Sequence, residues 1–288
     1  MKILFRCQIL FAVLYQINGY CQPCEPDTAK VKFNLNTSLS HIQYVKSNNL
    51  KGYDLNNTYY TASVAYALLG EVDSSIIFLP KNYTSFCNLT DVYYDSYKGN
   101  ARWMSASNKI TESYDLQYRH LKNINLNKKL VQFSARQQSL IWYQRLLKKN
   151  SKCEVLTRAL KEFDISNQKL VNELSLQPFP TLEDIGKEGR RALFLLIQHF
   201  DEDIIIQENF LSKIKVLIES SRYTDTILLN QYAYLTDRVL VNKGKDQEFG
   251  TQSKEDGTLF PIRDITKVNE RRHKFYLKPI LVTSLTNQ

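Results

Sequence analysis

Residues 177–200 read QPFPTLEDIGKEGRRALFLLIQHF, and this stretch decides the fold class. Two prolines within its first four residues exclude a continuous helix there, because proline lacks the backbone N–H that a helix interior needs. Thr181 can cap a new helix, and Glu183 and Asp184 are favourably placed in its first turn. The apolar residues that follow recur at helical spacing, so the pattern predicts a helix from about 182 to 200.

The same spacing continues on both sides of this stretch. Downstream it predicts helices from about 203 to 219 and from 224 to 244, then a polar loop with glycines to about 263 and a short basic helix over 268–275. Upstream, residues 111–172 carry a long helical pattern. Only 9 glycines and 7 prolines occur in 288 residues, whereas a β-sandwich needs many glycine- and proline-rich turns. The sequence therefore predicts an all-α protein.

An alanine- and tyrosine-rich segment nearer the N-terminus reads YYTASVAYALLG (residues 59–70). Its apolar residues form one stripe at three- and four-residue steps, and Gly70 is a natural helix stop. With the cap that Asp73 offers and a second apolar helix, the segment is similar to a tetratricopeptide-type repeat. The similarity ends at Pro80 and no clear second copy follows, so an ordinary helical hairpin is the alternative.

The first residues are typical of a secretory signal peptide. Lys2 and Arg6 give a positive start, and the apolar stretch 9–14 that follows is too short to span a bilayer. Small residues then precede a plausible cut ahead of Gln22. We therefore expect export to the periplasm or the medium, with residues 1–21 removed.

Lipidation of Cys21 is the rival interpretation of the same segment. Tyr20 is a poor fit just before a lipidated cysteine, so soluble export is preferred. No later apolar run approaches the length of a membrane span. The mature chain is then expected to contain a repeat-like helical region over 22–110 and a C-terminal helical domain over 111–288.

Charge and cysteine usage exclude further classes of protein. The formal charge is +9, but the basic residues are scattered among acidic ones without the stripe of a nucleic-acid surface, so no nucleic-acid partner is expected. The mature chain would keep Cys24, Cys87 and Cys153, an odd number, so at most one internal disulfide forms. A small fold held mainly by disulfides is thereby excluded.

Polar residues of the last third lie where a plain helical core would not place them. Residues 198–201 (QHFD) follow directly on a very apolar run, and Asp237 and Arg238 lie inside another. The loop 247–252 reads QEFGTQ and contains Gly250, which can take a positive φ. A buried charge is costly unless it is paired, so Asp237 and Arg238 imply nearby partners if they are buried. We expect these groups to gather in one place.

These motifs resemble a bacterial domain family of unknown function, numbered 6624. The resemblance rests on the two prolines of the opening stretch, the QHFD motif, LTDRVLV at 235–241, the QEFGTQ loop and the arginine pair 271–272, in the order and spacing of the family. It covers residues 115–280 and is strongest from 178 onward. It departs at Gln137–Gln138, where family members tend to carry an acidic residue before the glutamine. The resemblance implies a helical fold and no known activity.

Two interpretations of this polar cluster stay open. In the first it lines a pocket, where His199 serves as a general base and Arg238 and Arg271 bind an anionic substrate for hydrolysis or group transfer. In the second it is a satisfied structural network. The catalytic candidates are His199, Asp201, Asp237 and Arg238, and the binding candidates are Gln198, Gln247, Gly250, Thr251, Gln252, Arg271 and Arg272.

No metal site or cofactor is expected. His199 and Asp201 are two residues apart, a spacing that points them around different sides of a helix. The mature chain has no histidine pair at a four-residue step, no zinc-type cysteine pair and no glycine-rich phosphate loop. We therefore favour an exported interaction or ligand-binding module, with a protein partner on the repeat-like helices. A hydrolase or group transferase that uses the polar cluster is the alternative.

Overall fold

The computed structural model describes residues 26–48, 55–79, 86–87, 89–146, 153–220, 225–254 and 256–281. Within these ranges the protein is all-α, as predicted, with ten delimited α-helices, two short 3₁₀ segments and no β-strand beyond isolated bridges. None of the helices in this part of the chain is long and apolar enough to cross a membrane. The expected signal peptide, Cys21 and Cys24 lie outside the described residues.

From residue 182 onward the helices follow one another in the order that the apolar spacing predicts. The 3₁₀ segments are Val92–Tyr97 and Ile265–Lys267. The α-helices are α1 (Thr28–Ser47), α2 (Asn56–Leu68), α3 (Val72–Phe78), α4 (Ala101–Tyr118), α5 (Ile124–Leu146), α6 (Glu154–Ser175), α7 (Leu182–Gln198), α8 (Ile204–Ser220), α9 (Thr226–Asn242) and α10 (Val268–Lys274).

The chain divides into two compact units. The first contains the described residues up to His120 together with 132–165. The second contains 121–131 together with the residues from Ser166 onward. Each unit has its own set of buried apolar side chains.

Small side chains let the first helices of the first unit pack closely. Ala62 and Ala65 of α2 are buried together with Val31 and Leu35 of α1. The turn from α2 to α3 uses Gly70 at a φ of 80°, a left-handed conformation that favours glycine. The helical hairpin predicted here is therefore present, and α3 ends at residue 78, before the proline at position 80.

Two serines join α2 to α3 and to the first 3₁₀ segment. The Ser63 hydroxyl donates to the Ser75 carbonyl at 2.8 Å, and the Ser75 hydroxyl donates to the Ser63 carbonyl at 2.9 Å. The buried Tyr94 hydroxyl lies 3.0 Å from the Ser63 oxygen. The Tyr94 ring also stacks on Trp103, with 4.7 Å between the ring centroids. Polar contacts as well as burial therefore fix this aromatic cluster.

In the second unit, α7 begins with the capping box that the sequence predicts. Asp184 accepts a hydrogen bond from the Thr181 N–H at 2.8 Å, and the Thr181 hydroxyl accepts one from the Asp184 N–H at 3.3 Å. Gly186 then takes a φ of 65° and a ψ of 179°. The helix predicted from about 182 to 200 is therefore present over Leu182–Gln198, but its backbone leaves the helical conformation at Gly186, after one turn.

The start of α5 explains why α7 is interrupted. It binds the main-chain carbonyl groups of residues 183–185, through the backbone N–H groups of Lys122 and Asn123 at 2.9 Å each and the Asn127 amide at 2.6 Å. Gly189 packs so closely that a Cβ atom there would lie 2.9 Å from the Asn127 amide nitrogen. The first turn of α7 is thus satisfied by long-range contacts instead of by its own helix.

Helices α7, α8 and α9 pack on one another and form the frame of the second unit. Their contact faces are apolar and fully buried, which orders the helix ends that carry the polar residues. The buried side chains at this interface include Leu193, Leu196 and Ile197 of α7, Phe210 and Ile214 of α8, and Leu228 and Leu235 of α9.

Candidate functional site

The polar site of the second unit is built around two neighbours on α9, Asp237 and Arg238. Successive residues of an α-helix point about 100° apart, so the two side chains face different surroundings. Asp237 binds the loop that follows α9, whereas Arg238 binds Asp201 in the turn between α7 and α8. The predicted cluster is therefore two connected arrangements with different exposure.

Asp237 is fully buried and accepts four hydrogen bonds from the QEFGTQ loop. One carboxylate oxygen accepts from the backbone N–H groups of Glu248 at 2.7 Å and Phe249 at 2.9 Å. The other accepts from the backbone N–H and the hydroxyl of Thr251, at 2.8 Å each. Burial raises the pKa of the Asp237 carboxyl above its ordinary value, although these four bonds, which favour the ionised form, act against burial. Asp237 thus binds the loop through the backbone N–H groups of the loop.

Two glutamines close the loop from within. The Gln247 amide donates to the Gln252 carbonyl at 3.0 Å and to the Phe260 carbonyl at 2.8 Å, and its oxygen accepts from the Gln252 N–H at 2.8 Å. The Gln252 amide in turn donates to the Tyr234 carbonyl at 3.3 Å. These bonds satisfy most of the polar groups that the two buried side chains carry.

The arginine pair of α10 holds the same loop by its carbonyl groups. Arg272, which is buried, donates to the carbonyl oxygens of Phe249 at 2.6 Å and Gly250 at 3.1 Å. Arg271 donates to the Glu248 carbonyl at 2.7 Å. Burial lowers the pKa of the Arg272 guanidinium, and the Asp237 charge raises it. The Asp237 carboxylate therefore binds N–H groups of the loop backbone, and the two guanidinium groups bind its C=O groups.

Gly250 allows this close packing. Its φ is 67°, and a Cβ atom at this position would lie 2.8 Å from the Ile262 Cδ1 atom and 3.2 Å from the Ile280 Cδ1 atom. The prediction that this glycine takes a positive φ is confirmed. Both the backbone conformation and the lack of space therefore require glycine here.

The second arrangement lies nearer the surface and contains a bidentate ion pair. The Arg238 Nε atom donates to Asp201 at 2.8 Å, and its Nη2 atom donates to the other carboxylate oxygen. Asn242 donates to Asp201 at 2.8 Å, and Gln207 caps α7 by donating to the Ile197 carbonyl at 3.1 Å. The side chains of Arg238 and Asp201 are 29% and 40% exposed, so solvent reaches this pair.

Hydrogen bonds set the charge of this surface pair. Burial works to raise the pKa of Asp201, but the hydrogen bonds from Arg238 and Asn242 and the Arg238 charge hold it below the ordinary value of an aspartate. Asp201 is therefore ionised at neutral pH. Less than half of each side chain faces water, and a ligand or a partner can reach that exposed part.

His199 is the residue at the C-terminal cap of α7, and its side chain is exposed. Partial desolvation lowers the pKa of its imidazole, and the charge of Arg238 lowers it further against the opposing effect of Asp201. The ring is therefore uncharged at neutral pH and able to accept a proton. Its neighbour Gln198 contributes its main-chain carbonyl, which accepts from Gln207 at 3.4 Å.

The structure thus brings most of the sequence-predicted residues together, but in separate roles. His199 lies at the exposed edge beside Asp201 and Arg238. The loop network comprises Asp237, Gln247, Gly250, Thr251, Gln252, Arg271 and Arg272. No group of three or more His, Cys, Asp or Glu side chains in the described part of the chain is placed to hold a metal ion.

Sequence reasoning missed two polar residues of the surface arrangement. Gln207 is fully buried between α7 and α8, and Asn242 binds both Asp201 and the Gln207 oxygen, the latter at 3.4 Å. A signal was present for one of them, because Asn242 follows Arg238 by four residues and so lies on the same face of α9. Gln207 gave no such signal, since its burial depends on the turn that precedes α8.

These features define an all-α protein in which a hydrogen-bonded polar network ties a long loop to the C-terminal helices. The chain matches the Family of unknown function (DUF6624) over residues 132–283, more than half of its length, and it therefore belongs to this family. The family resemblance read from the motifs is thereby confirmed. A search of curated proteins and a search of solved structures found no match.

Proposed function

We propose that the protein acts outside the cytoplasm as a helical module that binds a protein partner, and that its polar network shapes a surface instead of catalysing a reaction. The observation that carries this proposal is the way the QEFGTQ loop is held. Asp237 and Arg272 are both buried, and their polar atoms are occupied by the loop backbone. Side chains in this state fix a loop in one conformation and are unavailable to a substrate.

Export is supported by the N-terminal pattern and by one cysteine of the described chain. Cys153 is disulfide-bonded, and disulfides form and persist mainly in oxidising compartments outside the cytoplasm. Cell fractionation followed by sequencing of the mature N-terminus tests this step. Recovery from the exported fraction with Gln22 first supports soluble export, a lipid on Cys21 supports anchoring, and an uncleaved chain in the cytoplasm contradicts the proposal.

The helices α1–α3 are the proposed partner surface. On α1, Phe33 and Tyr44 are 70% and 60% exposed and eleven residues apart, which puts them on one face of the helix three turns from each other. Exposed aromatic side chains are enriched at protein interfaces because they bury a large area at a small entropic cost. Unlike the buried network, this face is open to another protein.

Site-specific photo-crosslinking in the source cells tests the partner surface. A photoreactive amino acid at position 33 or 44 is expected to yield a discrete crosslinked species. The matched control places the same group at Lys32, which is exposed and lies about 100° around α1 from position 33. Equal crosslinking from all three positions, or none from positions 33 and 44, contradicts a partner at this face.

His199 supports the alternative of a hydrolase or group transferase. It is exposed, uncharged at neutral pH and next to a charged Asp201–Arg238 pair, as a general base acting on an anionic substrate requires. The test measures turnover across a panel of ester, amide and phosphate substrates in His199→Ala and in His273→Ala, which alters an exposed histidine on α10. Activity that only His199→Ala loses would favour the enzyme, and no turnover in the unaltered protein would favour the binding module.

A further inference from the structure

The first unit contains a carboxyl group that the proposed function does not use. Asp91 precedes the 3₁₀ segment Val92–Tyr97 and is 1% exposed. One of its carboxyl oxygens accepts a hydrogen bond from the Tyr60 hydroxyl of α2. The other oxygen is buried and has no hydrogen-bond partner. A buried polar atom left in this state is rare and costly, so its protonation state matters.

The positive charge of Arg136 acts on Asp91, but its ion pair is with another carboxylate. Arg136 of α5 binds the carboxylate of Asp95 at 2.7 Å and donates to the Thr90 carbonyl at 3.0 Å, and so contacts residues on both sides of Asp91. No ion pair found within the described residues joins Arg136 to Asp91. The positive charge of Arg136 is therefore shared with the carboxylate of Asp95, which is partly exposed and forms a direct ion pair with it.

Apart from Arg136, the groups around Asp91 are neutral or negative. The titratable and charged groups that face it are Tyr60 from α2, Tyr93, Tyr94 and Asp95 from the 3₁₀ segment, and Arg136 from α5, and Ser139 of α5 adds a hydroxyl. Moving an ionised carboxylate from water into such surroundings is unfavourable, and the usual outcome is that the group keeps its proton.

We propose that Asp91 is a proton switch, which carries a proton while the 3₁₀ segment is docked against α2 and α5 and releases it when that segment opens to water. The pKa of the Asp91 carboxyl supports this assignment. Burial raises it well above the ordinary value, and the opposing effects of the Tyr60 hydroxyl, the Arg136 charge and the Ser139 hydroxyl do not reverse the shift.

The direction of the switch follows from the two protonation states. An aspartate exposed to water ionises near pH 3.9, whereas the docked form keeps its proton to a higher pH. Between about pH 3.9 and the pKa of Asp91 in the docked form, the ratio of docked to open segment falls about tenfold for each unit of rising pH. Acid therefore favours the docked state, and rising pH favours exposure of the aromatic residues Tyr93, Tyr94, Tyr97 and Trp103, which are buried in the docked state.

Hydrogen–deuterium exchange of the full chain, corrected for the intrinsic exchange rate, measures this opening. In the unaltered protein, protection of peptides that cover 91–103 is expected to fall as the pH rises from about 4, by up to tenfold per unit. Asp91→Asn keeps an oxygen for Tyr60 but cannot ionise, so its protection is expected to be greater at neutral pH and to lose this slope. Asp73→Asn, which alters an exposed aspartate paired with Arg102, is the matched control and keeps the slope.

Infrared difference spectroscopy gives a second readout. A protonated carboxyl has a C=O stretch that ionised carboxylates lack, so the folded protein is expected to show such a band at a pH where ordinary aspartates are ionised. Loss of the band in Asp91→Asn assigns it to Asp91, since the other buried carboxyl with a raised pKa, Asp237, is unaltered in that variant. Absence of the band overturns the proposal. A folded Asp91→Asn variant that keeps the pH slope of the unaltered protein overturns the proposal as well.

Discussion

Asp237 and Arg272 hold opposite polar groups of the same turn of backbone without contacting each other. The carboxylate accepts from N–H groups of the QEFGTQ loop, and the guanidinium donates to its carbonyl groups, with Phe249 bound through both. A polypeptide turn that is removed from water needs partners for both kinds of group. The two buried charges supply them, and the loop backbone separates the charges.

The first prediction concerns the acceptor of this arrangement. Asp237→Asn places an amide NH₂ against loop N–H groups, and we expect the free energy of unfolding to fall by about 2–4 kcal/mol, because buried donors lose their acceptor. Denaturant unfolding measures the loss. Asp246→Asn, four residues past the end of α9 and exposed, should change it by no more than about 0.5 kcal/mol. Equal small effects from both variants would show that the loop does not depend on Asp237.

The second prediction compares two glycines of the same loop region with similar backbone conformations. Gly250 and Gly257 have φ values of 67° and 84°, but a Cβ atom at Gly257 would meet nothing within 4 Å. Gly257→Ala should therefore cost only about 1 kcal/mol of conformational strain, whereas Gly250→Ala adds a clash with Ile262 and should cost about 2–4 kcal/mol. Thermal unfolding of the two variants tests the difference, and equal melting temperatures would contradict the packing seen around Gly250.

The third prediction concerns pH and the surface ion pair. The pKa of Asp201 is lowered in the folded protein, so the pair stabilises the fold above the unfolded pKa, about 3.9, and this contribution is lost as the pH falls through the folded value. Arg238→Gln should raise the pKa of Asp201, because burial then acts against weaker hydrogen bonding. Carboxyl NMR titration measures it.

The same titration contains its own control. Arg263→Gln removes an exposed arginine that pairs with Glu248 and should leave the Asp201 titration unchanged. The His199 imidazole gives a second readout, since loss of the Arg238 charge should raise its pKa as well. An Asp201 titration that does not respond to Arg238→Gln would show that the ion pair does not form in solution.

The fourth prediction concerns the disulfide at Cys153. Reduction should lower the free energy of unfolding of the unaltered protein by about 2–4 kcal/mol, because the unfolded chain regains conformational freedom. Cys153→Ser should already be destabilised and should not respond to reductant. Cys87→Ser alters the half-buried thiol and should keep the response. A response to reductant that persists in Cys153→Ser would place the disulfide elsewhere in the chain.

Helices and their ends could be read from the sequence where the cause is local. The apolar period located α7, α8 and α9 to within a few residues, and Thr181 marked the start of α7 through a side-chain bond to a residue three positions away. The interruption at Gly186 could not be read in this way. It depends on Asn127, which lies 58 residues before Ile185 and donates its amide to the Ile185 carbonyl, a group that a regular helix would have bonded itself.

The same distinction between local and long-range causes applies to the candidate site. The sequence placed Asp237 and Arg238 together with the QEFGTQ loop, because charges inside an apolar run require partners. It did not show that the two neighbours serve different networks, since that follows from the angle between successive helix positions and from what packs on each face. Asp91 gave no signal either, because its stretch is ordinary in composition and its burial comes from α2 and α5.

The bonds between the start of α5 and the first turn of α7 bear on where the family domain can be cut. Lys122, Asn123 and Asn127 precede the matched range 132–283, yet they belong to the same compact unit as α7. A fragment trimmed to that range would leave three carbonyl groups of residues 183–185 without donors and would uncover Gly189. Recombinant fragments meant to isolate the C-terminal unit should therefore start upstream of Leu121, and boundaries taken from sequence matching alone would yield a frayed product.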